Sequence, residues 1–158
     1  MMIEKFLNYL KFELNRSERT VKSYGEDLRA FEEFFKNLDG HPSWESVDSD
    51  IIRDWMESMM DKGNNATSIN RRLSALRSFY RFALARELVV KDPAHDVVGP
   101  KKKRPLPQFL KENEINALLD SDMWEDTYDD MRARTIVMTF YETGMRLSEL
   151  TGLRDADV

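Results

Sequence analysis

An arginine set between a helix-stopping glycine and a fresh apolar run marks the segment Thr143-Gly144-Met145-Arg146-Leu147-Ser148-Glu149-Leu150. Gly144 can end one helix and Leu147 can begin the next. Arg146 then stands at a helix start, where unpaired backbone N–H groups also favour anions. A guanidinium there can hold two oxygens of a phosphate in its planar fork and stabilise negative charge added during a transfer. The same residues also allow a simpler arrangement, an ion pair from Arg146 to Glu142 or Glu149, one helical turn away.

A second candidate lies in residues 66–86. At ~100° per residue, Ile69, Leu73, Leu76, Tyr80 and Ala83 fall on one stripe, which is the predicted core face. Asn70, Ser74, Arg77 and Arg81 form a stripe beside it, widened by Arg71 and Ser78. These types suit duplex DNA: arginine binds phosphate or a guanine edge, asparagine binds adenine, and serine permits close approach. A solvated polar face is the alternative, although such faces usually mix signs and residues 66–86 contain no acid. The run Lys101-Lys102-Lys103-Arg104 is likewise either a soluble linker or a strap that crosses a phosphate backbone.

The net charge of −5 speaks against nucleic acid until it is resolved along the chain. Residues 65–104 carry 10 basic and 3 acidic side chains, net +7, between segments of net −5 and net −7. Screening confines fields to ~8–10 Å at ordinary salt, so the local figure decides. Cysteine is absent, which removes disulfides, thiolate metal sites and cysteine nucleophiles. His41 and His95 are the two imidazoles, far apart in sequence, so a metal site is not expected. No apolar run approaches the ~20 residues of a membrane span, and Met1–Phe6 shows no signal-peptide pattern. A cytoplasmic location with no membrane partner and no small-molecule substrate is expected.

The elements that would position these groups are almost all helical. Phe6, Leu7, Leu10 and Leu14 predict a first helix over 3–14. Ser17 predicts the N-cap of a second, reaching Leu38 and carrying Val21, Tyr24, Leu28, Phe31, Phe34 and Phe35. A third starts near Asp48 or Ser49 and stops at Gly63, and a fourth runs from Ala66 to Arg86. Residues 92–107 hold four prolines and the basic run, which predicts an interdomain linker with its boundary near Gly99. Beyond it, helices are predicted over Glu112–Leu119, over Met131–Tyr141 and from Leu147. Tyr24, Tyr80 and Tyr141 read as core aromatics.

In this order and spacing the pieces resemble the tyrosine recombinase (phage integrase) family, its Xer-like branch above all. Thr143–Leu150 is similar to the motif around the family's first catalytic arginine. Thr20-Val21-Lys22-Ser23-Tyr24, with Asp27-Leu28 and Phe31, resembles the opening of its helical core-binding domain, and Ile69–Tyr80 resembles that domain's fourth helix. Asp92-Pro93-Ala94 resembles the start of its linker, and Leu106-Pro107 with Glu114-Ile115 and Leu118-Leu119 the opening of its catalytic domain.

The resemblance implies an all-α chain: a four-helix SAM-like core-binding domain over 1–98, a basic linker over 99–107, and the first helices of a truncated catalytic domain over 108–158. It implies that Thr20, Lys22, Asn70, Arg71, Ser74, Arg77, Arg81, Lys101, Lys102, Lys103 and Arg104 bind double-stranded DNA and that Arg146 is catalytic. It also implies that other recombinase protomers assemble on that DNA, and that the complete enzyme rejoins strands through a phosphotyrosine without metal or nucleotide. The family further needs a hairpin lysine, a His-x-x-Arg pair, another His or Trp and a late nucleophilic tyrosine. None follows Arg146 in the dozen residues that remain, and Tyr9, Tyr24, Tyr80, Tyr128 and Tyr141 do not occupy the nucleophile's place. The chain is therefore expected to bind DNA without cutting it. Its rivals are a non-enzymatic helical module that pairs with and inhibits a full-length recombinase, and a helical-repeat scaffold, which the missing repeat period disfavours.

Overall fold

A computed structural model describes residues 1–40, 42–102, 106, 108–154 and 156. Every regular element among them is helical, and the chain divides into two compact units, Met1–Arg104 and Pro105–Val158. The first contains α1 (Met2–Asn8), a π-helical turn (Tyr9–Glu13), α2 (Glu18–Lys36), α3 (Ser49–Asp61) and α4 (Ala66–Ala85). The second contains α5 (Glu112–Leu119), α6 (Tyr128–Thr143) and α7 (Leu147–Leu150).

Local capping explains most of these boundaries. The Ser17 hydroxyl accepts from the Thr20 N–H, the Asp48 carboxylate from the Asp50 and Ile51 N–H groups, and the Asn65 carbonyl from the Ser68 N–H. Gly63 closes α3 in the left-handed region. The first helix departs from the expected single run. At its end the Leu14 N–H reaches the Tyr9 carbonyl, five residues back, and this π-turn widens the helix. Phe6 and Leu10 remain buried, while Leu14 is rotated outward and is 41% exposed.

An aromatic core holds the first unit together. Phe31, Phe35, Trp44, Phe79 and Tyr80 are buried, and the Trp44 ring lies 4.4 Å from Phe79 and 5.0 Å from Phe35. Trp44 belongs to the α2–α3 connection, so that loop is fixed from inside. Its indole N–H donates to Glu32 and its carbonyl accepts from the Tyr80 hydroxyl. Burial pushes the Tyr80 hydroxyl far above its ordinary pKa, so it stays protonated as a donor.

The segment expected as a linker does not leave the first unit at Asp92. Val89, Pro93, Ala94 and Val97 are buried, the Asp92 carboxylate caps the Ala94 N–H, and the chain remains in contact with α4 as far as Pro100. Four apolar side chains outweigh the tendency of proline to free the segment, because a proline needs no partner for an N–H it lacks.

The second unit buries much less. Ile115 is its one buried side chain among the described residues, and Met131 and Leu147 are more than half exposed. Tyr141, expected in a core, is 45% exposed. Local opening is resisted mainly by buried apolar contact. In this 158-residue chain we therefore expect amides of α2–α4 to exchange with solvent at least roughly tenfold more slowly than those of α5 and α6. Equal protection of the two units in a monomer would show that burial does not set local stability here.

Candidate nucleic-acid interface

Helices α2 and α4 meet along an antiparallel seam, and Arg71, Ser78 and Arg81 of the predicted polar face lie along it. At one end Asp27, which is 4% exposed, receives a two-pronged interaction from Arg71, with the second nitrogen at 2.9 Å. Arg71 also donates to the Ser23 hydroxyl at 2.6 Å. Arg72 approaches the same carboxylate at 3.6 Å, and its terminal nitrogen contacts the Met59 sulfur. Burial pushes the Asp27 carboxyl above its ordinary range, opposed by the hydrogen bond and charge of Arg71 and by the charge of Arg72. Farther along, Arg16, Thr20, Tyr24 and Ser78 line one shallow depression, and Arg16, Ser78, Arg81 and Arg86 line the next.

The predicted site residues separate into three groups. Lys22, Ser74, Arg81, Lys101 and Lys102 are exposed. Thr20 is half-buried and shares a hydroxyl contact with the capping Ser17 at 2.9 Å. Asn70, Arg71 and Arg77 are turned to internal work. The Asn70 amide donates to the Ala66 and Pro100 carbonyls, and Arg77 donates to the Ala94 and Val97 carbonyls. The physical reason is the chain segment 94–100 lying against α4: its carbonyls, outside any helix, need donors, and α4 supplies them. Lys103 and Arg104 lie outside the described residues.

The part that two residues play in the seam escaped the sequence reading. Arg16 precedes the N-cap of α2, where no helical period could place it on the α4 seam. Asp27 had a usable signal: it falls on the apolar stripe of α2 between Tyr24 and Phe31, and an acid on a core stripe needs a partner.

The cations of this unit are neutralised unevenly. Arg29 pairs with Glu4 at 2.9 Å, Arg53 pairs with Asp50, and Arg86 grips Glu13 at 2.7 and 2.8 Å while stacking over Tyr9 and Phe82. Among the described residues, no carboxylate lies within ion-pair distance of Arg16, Lys22, Arg81, Lys101 or Lys102, nor of Lys5, Lys11, Arg19, Lys62 or Lys91 elsewhere on the unit.

In the second unit, Gly144 ends α6 with φ 63°, a left-handed cap that costs glycine little. Arg146 is the N-cap of α7. Its N–H donates to the Glu149 carboxylate at 2.7 Å, and its guanidinium pairs with the same carboxylate at 3.0 Å. The simpler pairing open to the sequence is thus present. It is a weak one, since the Arg146 side chain is 82% exposed and such surface pairs contribute ~1 kcal/mol or less.

Residues 3–87 match the family described as the phage integrase N-terminal SAM-like domain, and the chain belongs to that family. Along almost its whole length it is also similar to two named relatives. Tyrosine recombinase XerD of Oceanobacillus iheyensis is 31% identical over 99% of this chain and 52% of its own. Tyrosine recombinase XerC of Staphylococcus aureus is 36% identical over 98% of this chain and 51% of its own. The chain spans about half the length of the curated relatives it matches.

The two ends of the Asp27–Arg71 pair are unequally buried, so the two truncations should differ. Arg71→Ala strands a carboxylate in the interior and should cost about 3 kcal/mol. Asp27→Ala lets a half-exposed guanidinium return to water and should cost nearer 1–2 kcal/mol. Urea unfolding of both variants measures the difference. A larger loss for Asp27→Ala would mean that packing, not charge, fixes this end of the seam.

Proposed function

We propose that the first unit binds double-stranded DNA along the α2–α4 seam, and that the complete protein is a site-specific tyrosine recombinase whose protomers assemble on that DNA. One observation carries the binding reading. Arg16 and Arg81 line one depression on the seam without a carboxylate partner among the described residues, while Arg86 beside them is matched by Glu13. Ser74, Thr20 and Ser78 intersperse them with hydroxyls, which suits phosphate contact without blocking approach. The names of the similar proteins point the same way, and family membership favours this reading over a helical interaction module.

In this proposal Arg81 and Lys22 take phosphates, and Arg71 adds charge from a position that Asp27 holds. Asn70 and Arg77 serve the interface from beneath rather than as open readers of base edges. Arg146 belongs to the phosphate clamp of the complete enzyme, where a phosphate oxygen would replace the weakly held Glu149 carboxylate. No helix among the described residues is long and apolar enough to cross a membrane. A cytoplasmic location, where the DNA is, belongs to the same proposal.

Fluorescence anisotropy with a labelled duplex across a salt series tests the assignment. Each phosphate contact removed lowers the slope of log K against log salt by roughly 0.9. We expect Arg81→Ala and Lys22→Ala each to do so with thermal stability nearly unchanged, because neither side chain has a described ion pair to lose. Affinity and slope equal to the parent's in the double variant would overturn the seam as the binding surface.

A further inference from the structure

We infer that Asn70, Arg77 and Gly99 form a latch that fixes where the lysine run leaves the first unit, making Asn70 and Arg77 positioning residues for Lys101 and Lys102. The inference rests on the DNA-binding proposal for its consequence, but the latch itself is visible without DNA.

Three side-chain contacts from α4 land on successive parts of the segment after it. The Arg77 Nε–H donates to the Ala94 carbonyl at 3.2 Å, and its terminal nitrogen donates to the Val97 carbonyl at 2.6 Å. Two turns back along α4, Asn70 Nδ2 donates to the Pro100 carbonyl at 2.8 Å and to the Ala66 carbonyl at 2.7 Å. Both amide protons of Asn70 are then used. The segment therefore runs antiparallel to α4 and is held at both ends of the stretch. Buried Ala94 and Val97 press it down between the polar contacts.

Gly99 completes the arrangement. A Cβ placed there would lie 2.3 Å from the Asn70 side-chain oxygen and 3.0 Å from its Cγ. Only a residue without a side chain lets the backbone come that close. The contact cannot be relieved by a small rotation of Asn70, because both hydrogen bonds fix its carboxamide plane.

The geometry sets the start of the basic run. The Pro100 carbonyl carbon is bonded to the Lys101 nitrogen, so the Lys101 backbone begins at Asn70, on the face of α4 that also carries Ser74. Lys101 and Lys102 follow at once and are exposed. A flexible tether would spread the two charges over a large volume. A latched one adds them to the same surface and lowers the ordering cost of bringing them to phosphate.

The test combines a readout without DNA and one with it, on the full chain. In the DNA-free protein, Asn70→Ala and Gly99→Ala should each speed tryptic cleavage after Lys101 and Lys102 roughly tenfold, with α2–α4 still resistant, because cleavage needs the segment to lift from α4. Two variants guard against one that fails to fold. Unchanged cleavage in both would overturn the latch. With DNA, the Lys101→Ala/Lys102→Ala pair should lower the salt slope by up to roughly 1.8 in the parent and by clearly less in an Asn70→Ala background. A merely structural Asn70 would reduce stability but leave the lysine effect the same in both backgrounds, and that outcome would overturn the positioning role. A parent chain that does not bind duplex DNA would overturn the proposed function together with the lysines' role, while the cleavage measurement would still decide the latch.

Discussion

A carboxylate buried between two helices dictates how this fold can be assembled. Asp27 lies on the core side of α2 and cannot remain charged there without a donor. Arg71 supplies two, and Arg72 adds charge from the next position. The interaction fits one register of α2 against α4, because sliding either helix by one turn would part the carboxylate from both nitrogens of Arg71. Everything else on the seam follows from that register: Thr20 comes opposite Ser78, and Arg16 comes alongside Arg81.

With the register set, the polar face of α4 serves two demands at once. Arg71, Asn70 and Arg77 satisfy internal acceptors, a carboxylate in one case and backbone carbonyls in the others. Arg81 and Ser74 stay in solvent. A helix face without acids can do this because its internal acceptors need donors and its outer surface needs charge, and arginine provides both. The guanidinium has five N–H groups, so Arg71 and Arg77 can hold the fold and still contribute positive potential outward.

Residues that act through near neighbours were legible in the sequence. Ser17, Asp48, Gly63 and Gly144 stand at helix ends as expected, since caps are decided within a few residues. The core stripe Ile69, Leu73, Leu76, Tyr80 and Ala83 is buried throughout, since one helical period describes it. The π-turn at Tyr9–Glu13 was not legible, because apolar spacing there fits an unbroken helix and the extra residue appears only in which carbonyl Leu14 chooses. Tyr141 misled for a different reason: an aromatic on a helical stripe signals a core only where another element covers it.

What the sequence by itself determined is the set of helices, the family, and the concentration of positive charge between residues 65 and 104. The helices depend on local period and capping chemistry, the charge on composition and the family on a resemblance of motifs in order, all of which can be read along one dimension. Tertiary structure alone decided which of those charges face solvent. Asn70 and Ser74 belong to one predicted stripe, yet one is tied to Pro100 and the other is exposed, because a segment 30 residues away lies across only part of the helix. A helical wheel shows which side chains share a face. It cannot show what covers that face, since the covering segment is placed by apolar contacts of Ala94 and Val97 with partners distant in the chain.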